Sequence, residues 1–554
     1  MASYARQIPW PTGTALDLAG PQLAWPSSYR PALSTVASIV TGIIFTFLVY
    51  NAVVPEKSVL GNRTPSFHSE LVKHLRRRWR AWAFLFDAPN IIQDGFNTSH
   101  GQPFEVLAPD SRYVFVSSPE HIKEVEMSPE NVLSLYAASQ QVLQPQYTMH
   151  GFNWYEKPTE GVGFVRALRT LLTNNLPEIL PNLGVVVRKR FAELHKGHPI
   201  VNGVRHSPVA RMITKTVVLA NVISIFGKEL AKNDAFMEAA LTYTEELVVS
   251  AEIVRLVPKM FRPIIGGLIS RRTKGHAVIW DSLLPIAQER CKERELASQG
   301  HAVPSHSDCI QWILESTSNK TSRTPQGIVH ELMAIWFASV HPTSITITYA
   351  LQDLCLHPEY TSPLRLEIER DYARFEKSGH GLPLLDSFIK ESARLSPVEA
   401  QSTRRCALRP FSLSDGTKID VGDWASTPTA AIMQSAEFYP EPMRFSGFRF
   451  VPQELLDSLD VSEPDEEARL KANPHQPSPS KLVDIDGSWY VWGAGRQTCP
   501  GRFYAAALAK VIVAQIISNY DLRLVDPEKP RWYTWRTTRV PREETLMVFT
   551  PRAE

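Results

Sequence analysis

Trp492-Gly493-Ala494-Gly495-Arg496-Gln497-Thr498-Cys499-Pro500-Gly501-Arg502 runs without a break into Phe503-Tyr504-Ala505-Ala506-Ala507-Leu508-Ala509-Lys510-Val511-Ile512-Val513-Ala514. A cysteine therefore stands between a glycine-rich turn and a stretch rich in helix formers. The first N–H groups of a helix have no partner within it, and the helix dipole adds positive potential at the same end. Both favour an anion, so the thiolate is the state favoured at this position.

Such a sulfur has three readings. A nucleophile needs a nearby base, usually histidine; none is close in the chain, although folding can bring one. A soft axial ligand to haem iron needs a polar, hydrogen-bonded surrounding. Arg496 is then placed to meet a haem propionate, and Gly493, Ala494 and Gly495 let the backbone approach the porphyrin. The third reading is a small buried hydrophobe beside an ordinary turn.

The stretch from Trp492 to Gly501 resembles the haem-binding signature of the cytochromes P-450, phenylalanine-x-x-glycine-x-arginine-x-cysteine-x-glycine, with tryptophan in first place and with its arginine, Arg496, one place early, so that Gln497 stands at the arginine position. The resemblance implies haem b with Cys499 as its iron ligand, and Trp492 covering the sulfur side. It also implies a mainly α fold with small β-sheets, the cytochrome P-450 fold.

Other segments extend the resemblance over most of residues 100–554. Ile389-Lys390-Glu391-Ser392-Ala393-Arg394 places an acid and an arginine on one helix face, where they can pair. It is similar to the family's glutamate-x-x-arginine element. Phe445-Ser446-Gly447-Phe448-Arg449-Phe450 supplies the next arginine of that network, Arg449, with Arg444 as the less favoured register. Of the paired Arg404 and Arg405, one approaches a propionate in the family arrangement, Arg405 by preference. A further propionate contact falls in the mixed helix 163–180, where neither Arg166 nor Arg169 is singled out.

The segment from Pro325 to His357 is apolar on nearly all sides, as befits a helix crossing a large core. Pro342 lacks the N–H a helix interior requires, so a kink is expected around Ala338. The segment resembles the family's oxygen-activating helix. Ala338 matches the small residue, Ser339 replaces glycine, His341 takes the acid position, Pro342 the threonine position, and Thr343 follows. Proline cannot relay protons. His341 is either a proton relay, with Thr343 or Ser344 holding a water, or a satisfied core or propionate-facing residue.

Flanking segments read more simply. Phe104 to Val116 is a hairpin around Pro109-Asp110-Ser111, and Ser118-Pro119 starts a helix. Residues 211–230 form a core helix, and 231–300 face substrate. Residues 404–408 and 411–421 are strands with an Asp415-Gly416 turn. Residues 457–479 are a charged, proline-rich insertion. The chain closes on strands 520–525 and 545–550, with the hairpin tip between them at the substrate cavity.

The 554 residues carry a net charge of +2, which gives no warrant for nucleic acid as a partner. The five cysteines lack zinc spacing and suit a reducing compartment. Residues 32–54 carry no charge and are long enough to cross a bilayer, which takes about 20 residues. Arginine and lysine cluster after this span, as in Arg76-Arg77-Arg78-Trp79-Arg80, so the large C-terminal part faces the cytosol. The organisation read is a lumenal 1–31, a transmembrane anchor 32–54, a basic membrane-proximal linker 55–99 and a haem-thiolate catalytic domain 100–554 in the endoplasmic reticulum membrane. The sequons at Asn62, Asn97 and Asn319 then go unused.

The resemblance implies a monooxygenase that receives electrons from NADPH through NADPH-cytochrome P-450 reductase, with cytochrome b5 as an optional donor, because the chain shows no nicotinamide or flavin fingerprint. The substrate class implied is a lipophilic secondary metabolite, terpenoid, polyketide or alkaloid-like. An isomerase or dehydratase working on a pre-activated substrate is the alternative that Pro342 motivates, and a noncatalytic haem sensor is a third. Pro500 removes one N–H from beside the sulfur and leaves that of Gly501. Pro500→Ala is therefore expected to raise the Fe(III)/Fe(II) potential in a redox titration; an unchanged value counts against this account.

Overall fold

The computed structural model describes residues 67–153, 161–316, 324–459, 479–485 and 487–552, with side chains from residue 81 and, past the first gap, from 164. The span expected over 32–54, Asn62, Asn319 and most of the insertion 457–479 lie outside these residues. Helix Phe67–Ser99 bends at Asp87, just before Pro89. Its Phe84, Leu85, Ala88 and Ile92 are buried, so packing begins N-terminal of residue 100.

The central helix, Pro325–Leu356, is buried on most sides. Thr324 caps it by accepting the Gly327 N–H at 3.1 Å. Helical structure continues through Pro342, whose missing N–H leaves the Ala338 carbonyl without its usual donor. Three neighbours hold this rod. Trp336 donates to the Ala240 carbonyl of helix Asp234–Leu256 (3.0 Å). Asn221, on the apolar helix Val209–Phe226, donates to the Ser339 carbonyl (3.2 Å) and accepts from the Tyr504 hydroxyl (2.9 Å). Tyr504 lies on helix Arg502–Asn519, which follows Cys499 and is apolar nearly all round.

Strands β1 (Phe104–Leu107), β2 (Arg112–Phe115), β3 (Leu133–Ser134), β4 (Ser402–Ala407) and β5 (Trp424–Thr427) form one sheet in the order β1-β2-β5-β4-β3. The expected hairpin is present, with Phe104 opposite Phe115, and Ser118 caps helix Pro119–Met127. Tyr520–Leu524 pairs with Leu546–Pro551, and the hairpin Trp532–Trp535/Thr538–Pro541 lies between them in the chain. The mixed helix expected over 163–180 is divided into Gly161–Arg166, a π-helical turn Ala167–Leu172 and Leu176–Lys196.

Glu391 and Arg394 lie on helix Pro383–Leu395, fully buried. Both carboxylate oxygens receive Arg394 at 2.8 Å, and Arg449 Nε reaches both at 3.1 Å. The remaining guanidinium hydrogens bind the carbonyls of Met433, Pro442, Pro440 and Arg444. Burial pushes the Glu391 carboxyl up, but Arg394 and Arg449 outweigh it and hold it below the usual range. Arg449 is thus the third member of the network, while the Arg444 side chain pairs with Glu441 in a half-exposed bridge. Glu391→Ala strands two buried cations and is expected to cost about 3–5 kcal/mol, seen as a lowered urea midpoint and lost haem. Arg444→Ala is expected to cost less than about 1 kcal/mol, with the urea midpoint little changed.

Candidate active site

The loop before helix Arg502–Asn519 folds as its glycines allow. Gly493 and Gly495 have φ of +74° and +62°, which side-chain-bearing residues rarely adopt. A Cβ on Gly495 would lie 3.0 Å from a Glu126 carboxylate oxygen. The Cys499 N–H closes the loop on the Trp492 carbonyl at 2.8 Å, and the Trp492 indole donates to the Leu482 carbonyl at 2.6 Å. Burial pushes the Cys499 thiol up, while the N–H groups of Gly501 and Arg502 and the charges of Arg502 and Arg169 favour the thiolate. Arg169 also donates to the Thr498 carbonyl at 3.5 Å; Arg166 is exposed and has no such contact. Arg496 is exposed in the turn Gly495–Gln497, with no partner among the described residues.

Register separates the paired arginines. Arg405 faces Ala425, and Cys406 faces Trp424, so the two directions of the strand are distinct. Ala425 belongs to the apolar cluster against which Ala494 of the cysteine loop packs. Buried Arg405 shares that side, near Glu126 and Glu130; burial lowers its pKa while the two acids raise it. Arg404 instead lines a cavity on the Trp424 side.

The central helix is uncovered at Ala338 and Pro342, one turn apart on the same face. Around them Ser339 is hydrogen-bonded to the Trp336 carbonyl, Ser344 to Val340, and Thr346 to Pro342. Thr343 is buried and its hydroxyl has no partner among the described residues. His341 is bonded to the Thr244 backbone, and its Nε2 is buried without a partner among the described residues. Burial pushes this imidazole below its ordinary value, although the Thr244 bond opposes the shift; it is neutral at pH 7.

The cavity is about 130 Å³ and is bounded by β2, β5, the distal helix Asp234–Leu256, Phe337 and the hairpin tip at Arg536 and Thr537. Its rim carries a buried four-charge cluster. Arg255 donates to Asp110 at 2.9 Å, and Arg536 reaches Asp110 at 2.8 Å and Glu252 at 2.7 Å. The β1–β2 turn, the distal helix and the C-terminal hairpin are thereby tied together.

A cytochrome P450 family model matches residues 89–539. The chain belongs to the cytochrome P450 family. It is similar to Cytochrome P450 monooxygenase 151 of Postia placenta, 28% identical over 483 residues, covering 85% of this chain and 90% of the relative. It is also similar to Cytochrome P450 monooxygenase pyr3 of Aspergillus fumigatus, 28% identical over 453 residues, covering 79% of this chain and 80% of the relative. Among solved structures, retinoic acid-bound cyanobacterial CYP120A1 shares the fold with a TM-score of 0.59 at 15% identity, covering 85% of this chain and 97% of that chain. CYP102L1 does so with a TM-score of 0.60 at 16% identity, covering 84% and 99%.

P450s hold haem b on a cysteine thiolate and take electrons from a reductase. The residues present fit that group. N–H groups point at the Cys499 sulfur, glycines leave the backbone bare beside it, Arg496 has no partner among the described residues, and the central helix has an open face. Sequence reasoning missed Asn221, Tyr504 and the rim cluster in this P450, because no local pattern marks them.

Burial alone would raise the Asp110 carboxyl, but Arg255 and Arg536 hold it down to about 2. A carboxyl held low stabilises the fold above its ordinary pKa, and that contribution, about 2 kcal/mol at neutral pH, is lost as pH falls through about 2. Asp110→Asn is expected to lower the urea midpoint at pH 6, with the gap to wild type narrowing toward pH 3.

Proposed function

We propose that this P450 is a membrane-anchored monooxygenase that inserts oxygen from O2 into a lipophilic, terpenoid, polyketide or alkaloid-like metabolite. The observation that carries the reading is Cys499, with N–H groups aimed at its sulfur, in a chain whose relatives are named monooxygenases. The apolar cavity wall of Phe84, Val142, Leu143, Leu247 and Phe337 supports a lipophilic substrate. Residues 32–54 serve as the endoplasmic reticulum anchor, with 1–31 lumenal and 100–554 the cytosolic catalytic part. NADPH-cytochrome P-450 reductase, and cytochrome b5 as an optional donor, supply the electrons.

Bound haem supplies the activation of O2. The chain's own residues position that group and its protons. Cys499 ligates the iron, Trp492 covers the sulfur side, and Gly493 and Gly495 admit the macrocycle. Arg496 and Arg405 meet the propionates. Thr343, whose hydroxyl is uncommitted, holds a water, while Ser344 is already spent on the Val340 carbonyl. Neutral His341 accepts and returns a proton at Nε2. The Ala338 carbonyl, freed by Pro342, is a further water acceptor on the open face. Pro342 at the usual threonine position also favours a second reading, an isomerase or dehydratase that needs no proton delivery to O2.

Labelled O2 should enter product only when NADPH and reductase are both present, and turnover without them would select the second reading. The ferrous carbon monoxide complex should show the red-shifted thiolate band, lost in Cys499→Ala. Thr343→Ala is expected to raise peroxide released per NADPH several-fold, and Ser344→Ala to leave it unchanged.

A further inference from the structure

The polar groups on the cavity wall fall into two sets. Each acceptor already holds a donor: Glu252 takes Arg536, Glu399 takes the hydroxyls of Thr537 (2.6 Å) and Thr538 (2.7 Å), and the Gln401 carbonyl oxygen takes the Ser426 hydroxyl (3.0 Å). Arg255 and Arg536 spend their charge on Asp110 and Glu252, and the Trp424 indole donates to Gln141 at 2.9 Å. The Arg404 guanidinium, the Tyr113 hydroxyl and the Trp535 indole N–H have no hydrogen-bond partner among the described residues, and all three residues line the cavity. Each offers a hydrogen, and arginine and tryptophan can do nothing else.

The backbone is shaped to present Arg404. Pairing of β4 with β5 shifts register between Ala425 and Thr427, so Thr427 meets Ser402 rather than Thr403. Thr403, a β-branched residue, sits at φ +49° within this irregularity. Such bulges re-aim side chains, and here successive arginines serve opposite sides, Arg405 toward the cysteine loop and Arg404 into the cavity.

We propose that the substrate carries a carboxylate on its hydrocarbon body, and that Arg404 binds it, assisted by the Tyr113 hydroxyl. A wall whose acceptors each hold a donor, while its unpartnered groups all donate, complements an acceptor, and the guanidinium fork matches a planar carboxylate in charge and geometry. The apolar wall formed by Phe84, Val142, Leu143, Leu247 and Phe337 takes the remainder of the molecule. This assignment rests on the monooxygenase reading only in calling the ligand a substrate.

The test uses full-length, haem-loaded protein at pH 7.5 and equilibrium dialysis with two matched pairs, dodecanoic acid with methyl dodecanoate and abietic acid with methyl abietate. At least one acid should bind about tenfold or more tightly than its ester. Arg404→Gln should abolish that preference with ester affinity unchanged, and Arg404→Lys should keep part of it. Since the Arg404 side chain makes no hydrogen bond or ion pair within the described protein, neither variant should disturb folding, which the ferrous carbon monoxide band checks. Equal binding of acid and ester in both pairs, no binding by either pair, or a preference that survives Arg404→Gln overturns the proposal. Any of these with an intact thiolate band leaves the haem-thiolate monooxygenase reading standing, whereas a missing band in wild type overturns that reading instead.

Discussion

One buried carboxylate organises the structure around the cysteine. Glu391 has no access to water, and its charge is tolerable there only because Arg394 and Arg449 approach it together. The arginines in turn have hydrogens to place, and they place them on carbonyls between Met433 and Arg444. A segment without regular secondary structure is thereby given one conformation, and the chain leading to the cysteine loop leaves from a fixed point. Removing the acid would cost more than the pair contributes, since the arginines would remain buried.

The central helix is constrained in a comparable way, by side chains that reach its backbone. Trp336 ties it to the distal helix, and Asn221 joins the Ser339 carbonyl to the Tyr504 hydroxyl on the helix after Cys499. The open face at Ala338 and Pro342 is therefore held in a set relation to the sulfur-bearing loop through one buried amide. Pro342 leaves the helix continuous, because a single absent N–H costs one bond while tertiary contacts hold both halves.

The sheet divides the labour between two neighbouring arginines. Strand alternation would send residues 404 and 405 to opposite faces in any case, but the irregular pairing at Thr403 and Thr427 fixes where each face lies. Arg405 ends beside the cysteine loop, and Arg404 ends in a cavity where Arg255 and Arg536 are already paired with acids and Glu399 is held by two hydroxyls.

Residues close together in the chain made much of this protein legible. The turn at Gly493 and Gly495, the cysteine before a helix, the hairpin at 104–115, the Glu391–Arg394 spacing and the apolar central helix are all short-range patterns, governed by local backbone sterics, periodicity and unpaired helix-end groups. Arg449 was also assigned, by its fuller pattern, and its contact with Glu391 agrees. That Ser344 rather than Thr343 gives its hydroxyl to the helix backbone was not legible, because side-chain rotamers inside a helix are set by packing. Nor was the cavity. Asp110, Glu252, Arg404 and Arg536 come from distant parts of the chain, and a buried charge declares its partner only once folding has removed the water that would otherwise have served each of them alike.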